Sequence, residues 1–391
     1  MAAKKRILFI TPFGLYRRGT VRYRIVPWAK LLAQVQQAHV RVLVAGWDTP
    51  EQTGTISLAE DVELRYLPFR RPFLRWGSVG YIAMWLEMVR YAWYEARTWQ
   101  PSVVHLSKPL GVPLLFLALY RGRHPSGLTR VVLDCDDLES AWPQGGPFVR
   151  WWHVFGTRVE RWAWRAADRV TVASRMLFER VQRIRGDHRV HHVCNYTWSA
   201  SAGPIRMTSR RIVIPTRLLD IRPGILASWM HAIHRQMPDV SLVVVGPEAK
   251  QAQRLSEELR APGLAGITII TRQPPEAYYR ILTSARLGLY LVEDSEAARA
   301  KCPQRLLDMV TRGLPVIAVD VGEPRYLLGA APPAGPSALV PPDGAALAKQ
   351  VAMVWRNRLY LEMLQRQSES AWRELLQPER IAETLWDAYF S

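Results

Sequence analysis

Two arginines, Arg217 and Arg222, stand five residues apart directly after the apolar run Arg211–Ile214. A β-branched run that gives way to a turn and a helix places both at the carboxyl end of a strand, where open α/β sheets bind ligands. Guanidinium forks there suit the oxygens of a diphosphate. A second group begins at Lys301. Pro303 fits the first turn of a helix, Lys301 and Arg305 flank that start, and the free N–H groups of the turn favour an anion. Asp308 lies further along the same helix, where a carboxylate can accept hydrogen bonds from both ribose hydroxyls. Gly322, in Asp320-Val-Gly-Glu-Pro324, supplies a turn after the strand that follows. Plainer readings stay open for these residues: a solvated arginine loop for the first pair and an exposed helix acid for Asp308.

The first half holds two further groups. Thr11 to Thr20 contains Gly14 and Gly19, which let backbone amides approach a phosphate, and Arg17, Arg18, Arg22 and Arg24 add charge beside them. Val131-Val-Leu-Asp-Cys-Asp-Asp-Leu-Glu139 crowds Asp134, Asp136 and Asp137 at a strand's end, where like charges raise one another's pKa. Such crowding points to catalytic or metal chemistry, with a capped helix start as the alternative. Three carboxylates could hold a metal, but none is expected.

Positioning these groups takes alternating strands and helices, the pattern of parallel sheets covered by helices. Strands are expected at Arg6–Ile10, Val40–Val44, Val62–Tyr66, Val103–His105, Val131–Asp134 and Arg169–Val172, with helices over Val21–Val35, Ile82–Thr98 and Val149–Ala167. A second series follows at Arg211–Ile214, Ser241–Val245, Ile267–Ile270, Leu287–Leu291 and Val316–Val319. Ser, Ala, Gly and Pro cluster near Ser199–Thr208, which places a domain boundary there. The expected division is 1–203, 204–370 and a C-terminal helix, 371–391, that packs back on the first domain.

The chain has 391 residues, 49% of them hydrophobic, which suits two packed domains and excludes wholesale disorder. Three cysteines without paired spacing argue against a disulfide framework or a zinc site and fit a reducing cytoplasm. The longest apolar run, Pro109–Tyr120, is too short to span a bilayer, so no transmembrane helix is expected. The net charge of +18 is lopsided: residues 1–203 carry 29 Lys and Arg against 15 Asp and Glu. A basic half implies an anionic partner. Trp152, Phe155, Val159, Trp162 and Ala166 recur at helical spacing beside Arg158, Arg161 and Arg165. With Arg70, Arg71, Phe73, Leu74 and Arg75, they suit an anionic membrane surface; an ordinary core helix with a basic solvent face is the alternative. No nucleic-acid motif accompanies the charge, and no nucleic-acid partner is expected.

The second-half segments resemble the retaining glycosyltransferases of family 4, also called group 1. Arg217 matches that family's first basic position and Arg222 its second, with Arg for Lys. Asp308 falls on the second acid of the family's paired acids, with Asp for Glu. Gly313-Leu-Pro-Val-Ile-Ala318 and the Asp320–Gly322 turn match closely, and Ser241–Gly246 resembles a family strand ending in Gly. The first acid departs, since Ala300 stands eight residues before Asp308; Asp294 and Glu296 are nearby. By the same resemblance Asp136 takes the place of a His near the transferred sugar and Asp137 that of the following Asp.

The resemblance implies a GT-B fold, two Rossmann-like domains facing each other across a cleft. It also implies retaining transfer of a sugar from a UDP- or GDP-sugar, with no cofactor. The expected acceptor is a glycan or lipid-linked molecule of cell-surface polysaccharide or glycolipid synthesis. The expected site has Arg217, Arg222, Asp136 and Asp137 as catalytic residues. Gly14, Gly19, Asp308, Pro303, Arg305, Lys301 and Gly322 are expected to bind substrate. The enzyme is expected in the cytoplasm, peripheral at the inner face of the plasma membrane. A GT-B nucleotide-sugar epimerase and a binding protein without turnover are the alternatives.

Overall fold

The computed structural model describes residues 4–15, 19–59, 62–70, 77–123, 130–141, 148–197, 205–260, 266–329 and 337–391. Arg17, Arg18, Arg71, Phe73, Leu74, Arg75 and the Trp152 side chain lie outside them. The chain is a mixed α/β protein with two units. The first comprises Met1–Tyr196, Ala300–Cys302 and Pro378–Ser391, and the second Thr197–Arg299 and Pro303–Gln377. The division thus falls at Tyr196 instead of 203, and the returning segment begins at Pro378 instead of 371, because residues up to Leu375 continue a helix of the second unit.

The first unit holds β1 (Arg6–Thr11), α1 (Val26–Gln34), β2 (His39–Val44), β3 (Ile56–Ala59), β4 (Val62–Tyr66), α2 (Gly77–Trp99), β5 (Val103–Ser107), α3 (Gly111–Arg123), β6 (Val131–Cys135), α4 (Phe148–Ala166), β7 (Arg169–Val172), α5 (Arg175–Arg185) and β8 (Val190–His192). Its sheet runs β3-β4-β2-β1-β5-β6-β7-β8, parallel except for the β3–β4 pair. Central strands read as unbroken apolar runs because helices cover both faces. Leu8, Ile10, Val104, Leu106 and Leu133 point into one core with residues of α2 to α5, among them Met84, Phe116, Trp164 and Leu177. On the opposite face Phe9 meets His105, and His105 meets Trp28 of α1.

Sequence periodicity predicts one helix from Val21. The chain instead makes a π-helical turn over Val21–Ile25 before α1 begins. The wider turn carries Arg24 inward, where it is buried at 1% exposure. Such turns recur at functional positions. The edge strand β3 escaped the sequence reading because its residues alternate between exposed and half-buried positions and its Ile56 and Leu58 side chains face solvent.

The second unit holds β9 (Arg211–Pro215), α6 (Pro223–Gln236), β10 (Ser241–Val245), α7 (Ala249–Glu258), β11 (Ile267–Ile270), α8 (Pro275–Thr283), β12 (Leu287–Tyr290), α9 (Glu296–Ala300), α10 (Gln304–Val310), β13 (Val316–Val319), α11 (Pro324–Leu328), β14 (Leu339–Val340), α12 (Gly344–Arg356) and α13 (Arg358–Leu375). Its parallel sheet runs β11-β10-β9-β12-β13-β14. Asp343 starts α12 by accepting the Ala346 N–H at 2.7 Å, and Asn357 starts α13 by accepting that of Leu359 at 3.0 Å. Such caps satisfy donors that the first turn leaves open.

The last helix, α14 (Pro378–Phe390), belongs to the first unit. Tyr389 is fully buried there, with its hydroxyl 2.8 Å from His105 Nδ1, and Arg130 donates to its carbonyl. Burial pushes the His105 pKa down to about 4, against the opposing pull of Asp134, so the ring is neutral at neutral pH. The three cysteines are buried and form no disulfide. Among the described residues no helix is long and apolar enough to cross a membrane.

Candidate functional site

In an open parallel sheet, ligands collect at the carboxyl edge where the strand order reverses. That point in the second unit is β9, flanked by β10 and β12. The turn leaving β9 is tightly fixed. Thr216 donates its N–H to Val245 at 2.9 Å, and its hydroxyl accepts the Leu218 N–H at 3.0 Å. Leu218 itself has a left-handed φ of 56°. Arg217 sits half-buried between these two residues. A backbone held so firmly in a sparsely populated region is characteristic of ligand sites.

Beside it, Gly246 ends β10 with φ of 110°. A Cβ there would lie 2.6 Å from Arg305 Nη1 and 3.0 Å from the Thr216 carbonyl oxygen. The missing side chain is what lets the Arg305 guanidinium lie over this edge. Arg305 also faces the ring of Tyr278, 5.7 Å from its centroid. The structure therefore brings the ends of β9 and β10 together with the α10 arginine.

Asp308 is placed differently from the sequence reading. It is only 4% exposed. One carboxylate oxygen accepts from the Thr197 hydroxyl at 3.2 Å and the Gln304 amide at 3.1 Å, and the other from the Tyr278 hydroxyl at 3.1 Å. Burial raises its pKa, with Arg312 and Gln304 pulling the other way. These partners occupy the oxygens that the sequence reading gave to ribose. Pro303 also shifts, standing just before α10 at φ −79° and ψ 83°. Its ψ is not helical, so the first turn starts at Gln304. Lys301, with Ala300 and Cys302, groups with the first unit, whereas Arg305 belongs to the second. The cause is Ala300, which is fully buried in that unit's apolar core and accepts the Ser174 hydroxyl on its carbonyl at 2.6 Å.

Arg222 precedes α6 and is exposed, bound to Glu293 through Nε at 2.9 Å and Nη2 at 2.8 Å. The hydrogen bond and charge of Glu293 hold its pKa above the usual value. Asp294 is paired with Arg299 through two contacts of 2.6 Å. Gly322, at φ 73°, packs against backbone: a Cβ would come within 2.7 Å of the Arg299 Cα. Its role in the structure is close packing of the turn on α9. Asp320 binds Arg325, and both line a cavity of about 450 Å³ with Ser337 and Pro341. That cavity lies beyond β12 from the Arg217 turn, so it is not the arginine site itself.

In the first unit the strand order reverses at β1, between β2 and β5. Gly14 follows β1, but its N–H already donates to Asp48 Oδ1 at 2.7 Å, and a Cβ would meet Thr49 Oγ1 at 2.5 Å. It is a packing glycine whose amide is engaged, not one free for a phosphate. Gly19 opens the helical turn that carries Thr20, whose hydroxyl donates to Asp136 at 2.9 Å. The three aspartates at the end of β6, β5's neighbour, separate into two roles. Asp134 is wholly buried and bound by both Arg24 and Thr171. Asp136 and Asp137 converge with Glu139 on Lys108, at 2.8, 2.8 and 2.6 Å from its Nζ.

Lys108 was not among the sequence candidates. It follows β5 with a left-handed φ of 66° and is nearly buried. Its signal was available, since a lysine at the carboxyl end of an apolar strand occupies a ligand-binding position. Its carboxylate partners are remote in sequence. Burial works to remove its proton, yet Asp136, Asp137 and Glu139 together hold its pKa well above normal. The ammonium occupies the centre that three carboxylates could offer a metal. Burial also pushes Glu139 up to about 7 despite Lys108, and raises Asp136. Glu160 fixes the Glu139 turn by accepting the Glu139 and Ser140 N–H groups at 2.8 and 3.2 Å. This is a proton-rich, preorganised polar cluster on the carboxyl edge.

Comparison with known proteins agrees with this architecture. Residues 25–196 match the family model described as "Glycosyl transferase 4-like domain". The sucrose-phosphate synthase structure from Thermosynechococcus elongatus superposes with a TM-score of 0.72 at 15% identity, covering 99% of this chain and 98% of that one. HepE from Anabaena, in complex with UDP and glucose, gives 0.68 at 12% identity with 98% of each chain covered. The trehalose 6-phosphate synthase from Burkholderia multivorans gives 0.63 at 12% identity, covering 99% and 96%. No curated protein sequence matches the chain significantly.

Proposed function

We propose that the protein, whose residues 25–196 match a glycosyl transferase 4-like domain and whose fold resembles that of the sucrose-phosphate synthase structure, transfers a sugar from a UDP- or GDP-sugar to a glycan or lipid-linked acceptor. A uridine donor is favoured by HepE, whose structures hold UDP or UDP-glucose. The observation that carries the reading is the Arg217 turn at the reversal point of the second sheet, with Arg305 laid over Gly246 beside it. In this reading the two guanidinium groups stabilise the negative charge that grows on the leaving diphosphate. Asp308 serves indirectly, fixing Tyr278 and α10. Arg222 joins only when Glu293 releases it. Lys108 and its carboxylates position the sugar or acceptor, with Asp136 tied to Thr20. The family resemblance carries retention at the anomeric carbon, and the reaction so drawn uses no metal. Three buried cysteines without a disulfide support a cytoplasmic setting.

A second reading, donor binding without turnover, is favoured by Ala300, where the first acid of the family pair is replaced by a fully buried alanine. A thermal-shift screen against UDP, GDP, ADP and their sugars, followed by donor hydrolysis, separates the two. Stabilisation by a nucleotide sugar with slow hydrolysis, both lost in Arg217→Ala, supports the transferase. Stabilisation without any hydrolysis or transfer supports the binding protein. Unchanged turnover in Arg217→Ala removes that residue from the mechanism.

A further inference from the structure

The helix α2 has two faces of opposite kind. One buries Met84, Met88, Ala92 and Ala96 in the core. The other carries Val79, Ile82, Leu86, Arg90, Tyr94 and Arg97, spaced three or four residues apart and therefore along one side. Val79 is 71% exposed, Ile82 and Leu86 each 55%, and Tyr94 64%. Exposed apolar side chains aligned over a helix some 34 Å long are not the scattered ones normal for a surface.

Among the described residues, the exposed charges along this stripe, Arg90 and Arg97, are basic. The acids of α2 are Glu87 and Glu95, which flank the stripe and pair with Arg70 and with Arg41 and Arg65. Helix α3 has no acid. The acid of α4, Glu160, is buried and accepts backbone N–H groups. Meanwhile α4 turns Phe155, Arg158, Arg161, Trp162 and Arg165 outward, and α2, α3 and α4 contribute to one core on the same side of the sheet. Aliphatic and aromatic side chains mixed with exposed arginines are the composition of a helix lying in a lipid interface.

We propose that the α2–α4 face of the first unit docks on an anionic lipid bilayer, with Val79, Ile82 and Leu86 entering the acyl boundary and Arg90 and Arg97 meeting headgroup phosphates. A protein surface complementary to this stripe would need its own row of acids, whereas an anionic bilayer supplies both apolar depth and negative charge in one plane. The inference does not depend on the donor, so its failure leaves the transferase reading untouched.

The test is co-sedimentation of the full chain with phosphatidylcholine vesicles and with vesicles containing about one third phosphatidylglycerol. Binding is expected to the second and to weaken as salt is raised. The double substitution Ile82→Gln with Leu86→Gln should weaken it about tenfold or more, and Val79→Ser in the same direction by less. Arg90→Gln with Arg97→Gln should lower binding and flatten its salt dependence. All these side chains are exposed, and melting temperatures should stay at the wild-type value. Equal vesicle binding by the Ile82→Gln, Leu86→Gln protein would overturn the proposal. So would a chain that ignores vesicles and sediments as a dimer that the same double substitution dissociates.

Discussion

Arg24 holds Asp134 by two parallel hydrogen bonds, Nε to Oδ2 at 2.8 Å and Nη2 to Oδ1 at 2.7 Å, with both side chains withdrawn from solvent. Arg24 also stacks on Trp28, 3.9 Å from its ring centroid, and reaches Asn195 and the Val193 carbonyl. Burial alone would raise the Asp134 pKa, but the charge and hydrogen bonds of Arg24 lower it below the carboxylate range. Its contribution to stability is thus present above the ordinary value of 3.8 and lost as pH falls through the lowered one. Arg24→Met strands a buried carboxylate and should destabilise the protein by about 3–5 kcal/mol in urea unfolding. Adding Asp134→Leu should recover part of that loss. A double variant less stable than the single one would contradict this account.

The Lys108 cluster has the opposite pH sense. Glu139 is raised from 4.5 to about 7, so the folded protein holds a proton that the unfolded chain has already released. The stabilisation is complete below the unfolded value and fades as pH rises towards the folded one. Melting temperatures measured from about pH 5 to about pH 8 should decline less for Glu139→Gln than for the wild type. Parallel curves would show that Glu139 does not hold the proton.

Gly246 and Arg305 form a pair that one substitution can separate. A methyl group at Gly246 must displace the Arg305 guanidinium, 2.6 Å away, and strain a backbone at φ 110°. Gly246→Ala should cost about 1–3 kcal/mol of stability. Arg305→Ala should not, but should weaken nucleotide-sugar binding by about tenfold to a hundredfold, the worth of one or two charge-assisted hydrogen bonds. Titration calorimetry with UDP and UDP-sugars reads this directly, and unchanged affinity in Arg305→Ala would take Arg305 out of the site.

For Asp308, ribose contact and internal anchoring predict different losses. Asp308→Asn turns an amide N–H₂ towards hydroxyl and amide donors that now have a carboxylate to meet. If it is an anchor, stability falls by about 1–3 kcal/mol and the KM for donor follows only through the loosened α10. A large rise in KM with an unchanged melting temperature would restore the ribose role.

Much of this architecture is readable from local signals. The apolar strands β1, β10 and β13 and the turn after β9 announce themselves through β-branched runs followed by Arg, Gly or Pro. What stays hidden depends on partners remote in sequence. Lys108 gains its meaning from carboxylates about thirty positions away, and Gly14 from the carboxylate of Asp48. Asp308 sits at the expected helix position, but the hydroxyls of Thr197 and Tyr278, which turn it from an exposed acid into a buried anchor, come from other elements. The three aspartates after Leu133 look equivalent in sequence because nothing local distinguishes the one that meets Arg24 from the two that meet Lys108.

The placement of Tyr389 beside His105 bears on how the protein is made. A ribosome finishes Tyr196 well before it reaches Pro378, and the intervening stretch takes roughly ten to forty seconds at common elongation rates. Throughout that interval the nascent first unit lacks α14, and the His105 ring that Tyr389 meets stays without it. The second unit, continuous over most of its length, emerges during the wait. The N-terminal half of this polypeptide is therefore the last to be completed.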